Sequence, residues 1–150
     1  MVNFKNGNLF GNEDYILTLH IYTDGASRGN PGIAAAAFIF VKDNEKSFEY
    51  YKYLGKQTNN QAEYQAIILA LTKALEFSEQ VLILYSDSEL VIKQLNGDYR
   101  VKQPHLKLLK RKIIEIKKKF RSVTFSHISR DNKWIKNADI LCNRCINENE

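Results

Sequence analysis

The sequence has few cysteines, few prolines and no long apolar run. Its 150 residues contain two cysteines, too few to cross-link a secreted domain of this size or to fill a four-ligand zinc site. The longest apolar run, from Ile33 to Val41, is far shorter than the roughly 20 residues that a membrane-spanning helix needs. No basic segment followed by an apolar one opens the chain, so we expect a cytoplasmic protein with no membrane partner.

The composition is that of one globular domain with an uneven charge distribution. Hydrophobic residues make up 44% of the chain and charged residues 26%, which excludes a disordered or fibrous protein. The net charge is +5, but the segment from Arg100 to Arg121 contains ten basic residues and one acid, so the rest of the chain is acidic. This distribution favours a polyanionic partner and a site that gathers carboxylates. A solvated basic helix face is the alternative for the segment.

Hydrophobic periodicity predicts alternating sheet and helix segments. Five segments have the pattern of strands: 16–23, 33–41, 47–54, 81–85 and 123–128. Four have the pattern of helices: 59–77, opened by Asn59 and Asn60 as caps, then 88–95, 104–119 and 137–146. The order predicts an α/β fold with a five-stranded mixed sheet, three antiparallel strands followed by two parallel ones, and helices on both faces. We expect a loose segment at 1–15, one domain at 16–147 and a short acidic tail at 148–150.

Four acidic residues stand where predicted strands end or predicted helices begin. Asp24 and Asp87 end strands, and Glu63 and Asp139 lie in the first turns of helices. Ligands of α/β sheets bind at the carboxyl ends of strands, so we expect these side chains to converge. Clustered carboxylates require cations, and oxygen ligands suit Mg²⁺ or Mn²⁺, two of which can promote hydrolysis of a phosphodiester. Helix capping or complementation of the helix dipole is the alternative for every acid except Asp24.

Four segments together resemble the motifs of the type 1 ribonuclease H family. They are Asp24–Gly32, Thr58–Tyr64, Ser86–Ser88 followed by Asn96–Gly97, and Asn137–Asn143. The resemblance implies the ribonuclease H-like fold in a monomer that hydrolyses the RNA strand of an RNA/DNA hybrid and leaves 5′-phosphate and 3′-hydroxyl ends. It also implies that two Mg²⁺ ions, replaceable by Mn²⁺, are held by the four catalytic acids: Asp24, Glu63, Asp87 and Asp139.

The resemblance further implies which residues contact the hybrid. Three match positions that touch sugars or base edges in the minor groove: Asn30, Asn59 and Asn60. Ser27 and Gly29 are expected at the same groove, because short polar side chains and a glycine backbone suit contact with the 2′-hydroxyl that distinguishes RNA from DNA. Five others match further contact positions: Lys56 and Thr58 at a DNA-strand phosphate, Glu89 at a 2′-hydroxyl, and Lys110 and Arg111 at the DNA backbone. For Asn59, a purely structural role as a helix cap is the alternative.

The chain departs from many members of the family before its last acid. It lacks their mobile Gly-His loop and instead has His127 and Arg130 in a His-x-x-Arg arrangement. We therefore expect His127 to end a strand and to have no catalytic role. Trp134 is expected to pack near the final helix. Cys142 and Cys145 share one helix face, which favours the core over a metal or redox role.

The sequence is compatible with three candidate functions. The first is a hybrid-specific endonuclease, and the second is another nuclease of the same fold, such as a resolvase or a released reverse-transcriptase domain. The third is a nucleic-acid-binding module without activity. The four complete motifs argue against the second, and the four intact acids argue against the third, because a binding module gains nothing from mutually repelling carboxylates.

Overall fold

The computed structural model describes residues 17–150, and the segment predicted as loose at 1–15 lies outside this range. The five strands are β1 (Thr18–Gly29), β2 (Gly32–Lys42), β3 (Glu45–Gln57), β4 (Val81–Ser86) and β5 (Ser122–His127). The helices are α1 (Asn59–Ala74), α2 (Glu89–Leu95), α3 (Pro104–Lys117) and α4 (Lys133–Asn149). None of the helices within residues 17–150 combines the length and the apolar character that crossing a bilayer requires.

The strands form one mixed sheet in the order β3-β2-β1-β4-β5. The pairs β1/β2 and β2/β3 are antiparallel, and the pairs β1/β4 and β4/β5 are parallel. This arrangement confirms the predicted fold class. It places β1 at the centre of the sheet, beside the parallel strand β4.

Helices cover both faces of the sheet, and each face has its own core. On one face α1, α2 and α3 pack against side chains that include Leu19, Phe38 and Leu84. On the other face α4 packs against Tyr22, Ile39 and neighbouring residues of β1 and β2. The two cores hold the central strands from both sides and fix the position of the strand ends.

The first hairpin is longer than the sequence predicts. The segment from Asp24 to Gly32 was expected to be a turn, but β1 continues to Gly29 and pairs with β2 as far as Gly29↔Gly32. The turn is confined to Asn30 and Pro31, and Gly29 adopts the left-handed backbone conformation with φ of 104°. The glycines of this segment favour a turn, but strand β2 pairs with its backbone and keeps it extended, so the predicted turn is wrong.

Two helices begin before the residues predicted to start them. For α1 the N-cap is Thr58 rather than Asn59 or Asn60, because Thr58 and Gln61 form a reciprocal capping box. For α4 the N-cap is Asn132, whose side chain accepts from two backbone N–H groups of the first turn. The predicted start at Asn137 is therefore wrong. The helix also runs to Asn149, into the segment predicted as an acidic tail.

Candidate active site

Asp24 and Asp87 lie side by side just beyond the parallel part of the sheet. Tyr22 and Tyr85 are the last paired residues of β1 and β4, and each aspartate follows two residues later. Asp87 comes directly after β4, and the N-cap of α2 is Ser88. Asp87 is therefore free of the capping role considered for it, and both carboxylates stand at the same edge of the sheet.

Gly25 brings Glu63 to the same place. The backbone of α1 passes so close to Gly25 that a Cβ there would lie 2.2 Å from the carbonyl carbon of Ala62. This approach lets the Gly25 backbone N–H donate a hydrogen bond of 3.0 Å to Glu63 Oε1. Glu63 is the fifth residue of α1, which has no acid in its first turn. The prediction that Glu63 lies in the first turn is thus wrong, and the dipole explanation loses its basis.

The three carboxylates form a compact cluster. Asp24, Glu63 and Asp87 each present an oxygen atom, and these atoms all lie within 4.8 Å of one another. Asp24 is 6% exposed and Glu63 5%. Together with part of α4 they line a cleft of about 520 Å³. A cluster of this kind matches the oxygen ligands that Mg²⁺ and Mn²⁺ prefer.

The electrostatics of the cluster favour a bound cation. Burial, followed by the charges of Asp87 and Asp139, raises the pKa of Asp24 to about 8. Burial, followed by the charges of Asp24 and Asp87, raises the pKa of Glu63 well above its usual value, against the opposing effect of the Gly25 hydrogen bond. Within residues 17–150, Arg130 is the basic side chain within 4.0 Å of these acids, at Asp87 Oδ2, and it is 85% exposed. Burial and mutual repulsion thus oppose ionisation of these carboxyl groups, and bound divalent cations would relieve both effects, so the residues fit such cations.

Asp139 stands at the rim of the cleft. It is exposed and lies in the second turn of α4, since the helix begins at Lys133. A contact with its carboxyl group contributes to the raised pKa of Asp24. Asn143, one turn further along α4, donates to Asp139 Oδ1 at 3.3 Å. The fourth acid thus faces the other three, although the prediction of a first-turn position is wrong.

The residues expected at the minor groove lie around the first hairpin and the start of α1. Asn30 Oδ1 accepts a hydrogen bond of 3.0 Å from the backbone N–H of Asn59, which ties the hairpin to the helix. Ser27 Oγ donates to the Gly29 carbonyl at 2.6 Å. Asn59 lines the cleft of the acids, whereas Asn60 is half-buried. Asn59 is not the helix cap, so the structural alternative for it is wrong.

The other expected contacts are more dispersed. Lys56 is exposed at the end of β3, next to the capping residue Thr58. Glu89 is exposed at the start of α2 and pairs with Lys93 at 3.5 Å. Lys110 and Arg111 lie on α3, outside the cleft of the acids, and line a second groove beside the α2–α3 connection. The structure thus places these residues on separate surfaces.

The structure confirms the predicted positions of His127 at a strand end and of the two cysteines in the core. His127 is the last residue of β5, is exposed and is not among the residues that line the cleft. Trp134 is half-buried, and its ring centroid lies 6.5 Å from that of Tyr22. Cys142 and Cys145 are both buried as free thiols.

Sequence reasoning missed several polar residues around the acids. Arg130, Asp131 and Lys136 line the cleft. Arg28 Nη2 donates to Asn143 Oδ1 at 3.3 Å across 115 residues of chain. The one local signal is the position of Arg130 three residues after His127. No periodicity in the sequence predicts the other contacts, because they depend on how α4 packs on the sheet.

Comparison with known proteins agrees with this geometry. The family model described as "Reverse transcriptase-like" matches residues 22–145. Ribonuclease HI of Halobacterium salinarum is 37% identical over 131 residues, which cover 87% of this chain and 65% of that protein. Bifunctional protein Rv2228c of Mycobacterium tuberculosis is 33% identical over 73% of this chain and 31% of its own length. The chain thus spans less than two thirds of either curated relative.

Solved structures show the same fold. RNase H1 of Halobacterium salinarum superposes with a TM-score of 0.83 at 37% identity, over 87% of this chain and 98% of that one. LC11-RNase H1, solved in complex with an RNA/DNA hybrid, gives a TM-score of 0.81 at 36% identity with the same coverage of both chains. With the acidic cluster and the sheet order, these matches show that the chain belongs to the type 1 ribonuclease H family.

Proposed function

We propose that the protein is an endonuclease that hydrolyses the RNA strand of RNA/DNA hybrids and leaves 5′-phosphate and 3′-hydroxyl ends. The observation that carries the proposal is the cluster of Asp24, Glu63 and Asp87, with oxygen atoms within 4.8 Å of one another in an open cleft. A relative of the same fold binds an RNA/DNA hybrid, which supports the choice of substrate. The compact chain is proposed to act as a monomer.

Asp24, Glu63 and Asp87 would hold two Mg²⁺ ions, or Mn²⁺ in their place, with Asp139 completing the set from the rim. When bound, two such ions activate a water molecule and stabilise the leaving oxygen of a phosphodiester. The chain itself fixes the ligands: the Gly25 N–H holds Glu63 at 3.0 Å, β1 holds Asp24, and the end of β4 holds Asp87. Burial restricts the side chains of Glu63 and Asp24, whereas Asp139 is exposed at the rim and depends on polar contacts for its orientation.

The first hairpin would distinguish RNA from DNA. Its short side chains and the Gly29 backbone leave room for a sugar to approach, and the 2′-hydroxyl can both donate and accept. The hydrogen bond from Asn59 N–H to Asn30 Oδ1 orients Asn30 so that its amide group remains available. Lys56 and Thr58 would bind a phosphate of the DNA strand, and Glu89 a 2′-hydroxyl of the RNA strand.

Cleavage of end-labelled substrates tests the proposal. An RNA/DNA hybrid, the matching duplex DNA, a branched duplex DNA and the matching single-stranded RNA are each incubated with the protein and Mg²⁺, with the protein and a chelator, and with Asp87→Asn and Mg²⁺. We expect cleavage of the RNA strand of the hybrid alone, abolished by the chelator and by the substitution, with products that accept a 3′ extension. Cleavage of branched duplex DNA would indicate a resolvase, and tight hybrid binding without cleavage would indicate a binding module. Either result contradicts the proposal.

A further inference from the structure

Asn143 makes two hydrogen bonds to Asp139 from one amide group, one to the backbone and one to the carboxylate. Its Nδ2 donates to the Asp139 backbone carbonyl at 3.0 Å and to Asp139 Oδ1 at 3.3 Å. The backbone contact anchors the amide on α4, so the second contact can restrict the rotation of the Asp139 side chain. Without it, an exposed aspartate on a helix would sample several rotamers.

Arg28 determines which way the Asn143 amide points. Its Nη2 donates to Asn143 Oδ1 at 3.3 Å, and its Nη1 pairs with Glu150 Oε2 at 3.0 Å. A flipped amide would turn its NH₂ group toward the guanidinium and its oxygen toward the Asp139 carboxylate, and both contacts are repulsive. The guanidinium therefore selects the orientation in which the NH₂ group faces Asp139.

Arg28 lies on the same strand, β1, as Asp24, the acid that Asp139 faces. Arg28 lies four residues after Asp24 on β1, and both belong to the part of β1 that is paired with β2. The contacts Arg28–Asn143 and Asn143–Asp139 therefore close a loop between β1 and α4. This loop fixes the rim acid relative to the buried acids, whereas the packing of α4 fixes only its backbone.

We propose that Arg28 and Asn143 are positioning residues that hold the Asp139 carboxylate toward Asp24, and hence toward the cations of the active site. This inference rests on the proposed function. Neither residue lies in the apolar cores, so their loss affects the geometry of the rim more than the stability of the fold. Partners of this kind change metal affinity or activity about 10–100-fold when removed.

Metal binding to the substrate-free protein gives the first test. Isothermal calorimetry with Mn²⁺ is carried out on the parent, Asn143→Ala and Arg28→Ala, with Asn147→Ala as the matched control. Asn147 is an exposed residue one turn further along α4. We expect Asn143→Ala to weaken Mn²⁺ binding about tenfold, Arg28→Ala to weaken it less, and Asn147→Ala to leave it unchanged. Unchanged binding in Asn143→Ala overturns the inference.

A double-substitution cycle separates positioning from a general effect. In an Asp139→Ala background, Asn143→Ala has nothing left to position, so we expect no further loss of Mn²⁺ affinity. Likewise, the pair Arg28→Ala with Asn143→Ala is expected to match Asn143→Ala alone, because the two residues act in series. Losses that multiply in either cycle contradict the inference.

Kinetics with the hybrid distinguish positioning from substrate binding. Asn143→Ala is expected to lower kcat and raise the Mg²⁺ concentration for half-maximal rate, with KM unchanged. A rise in KM alone for Arg28→Ala, together with a smaller salt dependence, would show that Arg28 binds a phosphate instead and would overturn its part. If the parent cleaves no hybrid, the proposed function fails, whereas the calorimetry still decides whether Asn143 and Arg28 act through Asp139.

Discussion

The backbone N–H of Gly25 donates to Glu63 Oε1 at 3.0 Å, and no side chain separates strand β1 from helix α1 at this point. A Cβ on residue 25 would lie 2.2 Å from the Ala62 carbonyl carbon and 2.4 Å from the Glu63 backbone nitrogen. The closeness of β1 and α1, and with it the position of Glu63 beside Asp24, depends on a glycine at this position.

Gly25→Ala is therefore expected to destabilise the fold by about 3 kcal/mol, the upper end of the usual range for overpacking, because backbone atoms cannot move aside as a flexible side chain can. Gly97→Ala is the matched control. Gly97 has φ of +84° but nothing within 4 Å of the added Cβ, so only the left-handed backbone costs energy, about 1–2 kcal/mol. Urea denaturation of both variants measures the difference. Equal losses would show that α1 can move away from β1 at little cost.

Substitution of the acids by their amides is expected to rank them by their place in the cluster. Asp24→Asn, Glu63→Gln and Asp87→Asn each remove a charged ligand and should lower kcat for hybrid cleavage by at least about a hundredfold. Asp139→Asn should be the mildest, since its side chain is exposed at the rim. Rates with Mg²⁺, with circular dichroism as the control for folding, test the order. A near-parental rate for Asp87→Asn would remove the two-metal assignment.

The metal-free protein is expected to gain stability when Asp24 is neutralised. The pKa of Asp24 is raised from 3.8 to about 8 in the folded state, so ionisation of this carboxyl opposes folding. This destabilisation is absent below pH 3.8, the ordinary pKa of the Asp24 carboxyl in the unfolded chain. It grows as the pH rises from 3.8 to about 8 and is complete above about 8. Asp24→Asn should therefore raise the melting temperature at pH 7.5 in the presence of a chelator.

The difference in melting temperature between Asp24→Asn and the parent should narrow as the pH is lowered toward 5, because the Asp24 carboxyl of the parent is then protonated in the folded state. It should also narrow when Mg²⁺ is added, because the ion stabilises the parent by binding its native state. Differential scanning calorimetry of the parent and of Asp24→Asn at pH 7.5 and pH 5 measures this difference. A lower melting temperature for Asp24→Asn than for the parent at pH 7.5, with a chelator present, would contradict the raised pKa of Asp24.

The basic residues of α3 are expected to add affinity without changing the chemistry. Leu106 and Ile113 turn one side of α3 toward the core, and Lys110 and Arg111 line a groove outside the cleft of the acids. The double variant Lys110→Ala/Arg111→Ala should raise KM, leave kcat nearly unchanged and flatten the logarithmic salt dependence of binding by about one to two units.

The pair Lys46→Ala/Lys52→Ala, on the edge strand β3, removes the same charge and serves as the control for this prediction. Both lysines are exposed, and neither was assigned a contact with the hybrid. If the two double variants changed KM and the salt slope equally, the effect would be one of net charge, and α3 would not lie on the path of the substrate.

The thiols are expected to be unreactive in the native protein. Cys142 Sγ donates to the Asp24 carbonyl at 3.4 Å, and burial raises the pKa of this thiol. Burial also raises the pKa of Cys145. Because the thiolate is the reactive form, a disulfide reagent should label neither cysteine in buffer and both in denaturant. Labelling of the native protein would show that α4 opens away from the sheet.

Much of the fold follows from local patterns in the sequence. Alternation in Leu19 and Ile21 and the apolar run of β2 predict central strands, and Leu19, Ile21 and residues 34–40 are fully buried. The convergence of Asp24 with Asp87 follows from the rule that parallel strands carry ligands at their carboxyl ends. These features were predictable because each depends on a few neighbouring residues.

The features that were not predicted depend on contacts between distant segments. Strand β1 continues past Asp24 because β2 pairs with it, which overrides the preference of Gly and Asn for turns. Similarly, Arg28 and Asn143 each lie in a motif that the sequence singles out, but they are separated by 115 residues, and no local pattern predicts that they contact each other. The start of α4 was missed because Asn132 and Asn137 are both plausible caps by composition.

The four acids reach one cleft from β1, α1, the end of β4 and α4, and α4 follows the other three elements in chain order. Cys142 on α4 touches the carbonyl of Asp24 across 118 residues. A chain emerging from the ribosome therefore lacks the complete site until α4 has been synthesised and has docked on the sheet. Under the proposed function, the return of hybrid cleavage during refolding would therefore report the docking of α4 on the sheet rather than the packing of the other helices.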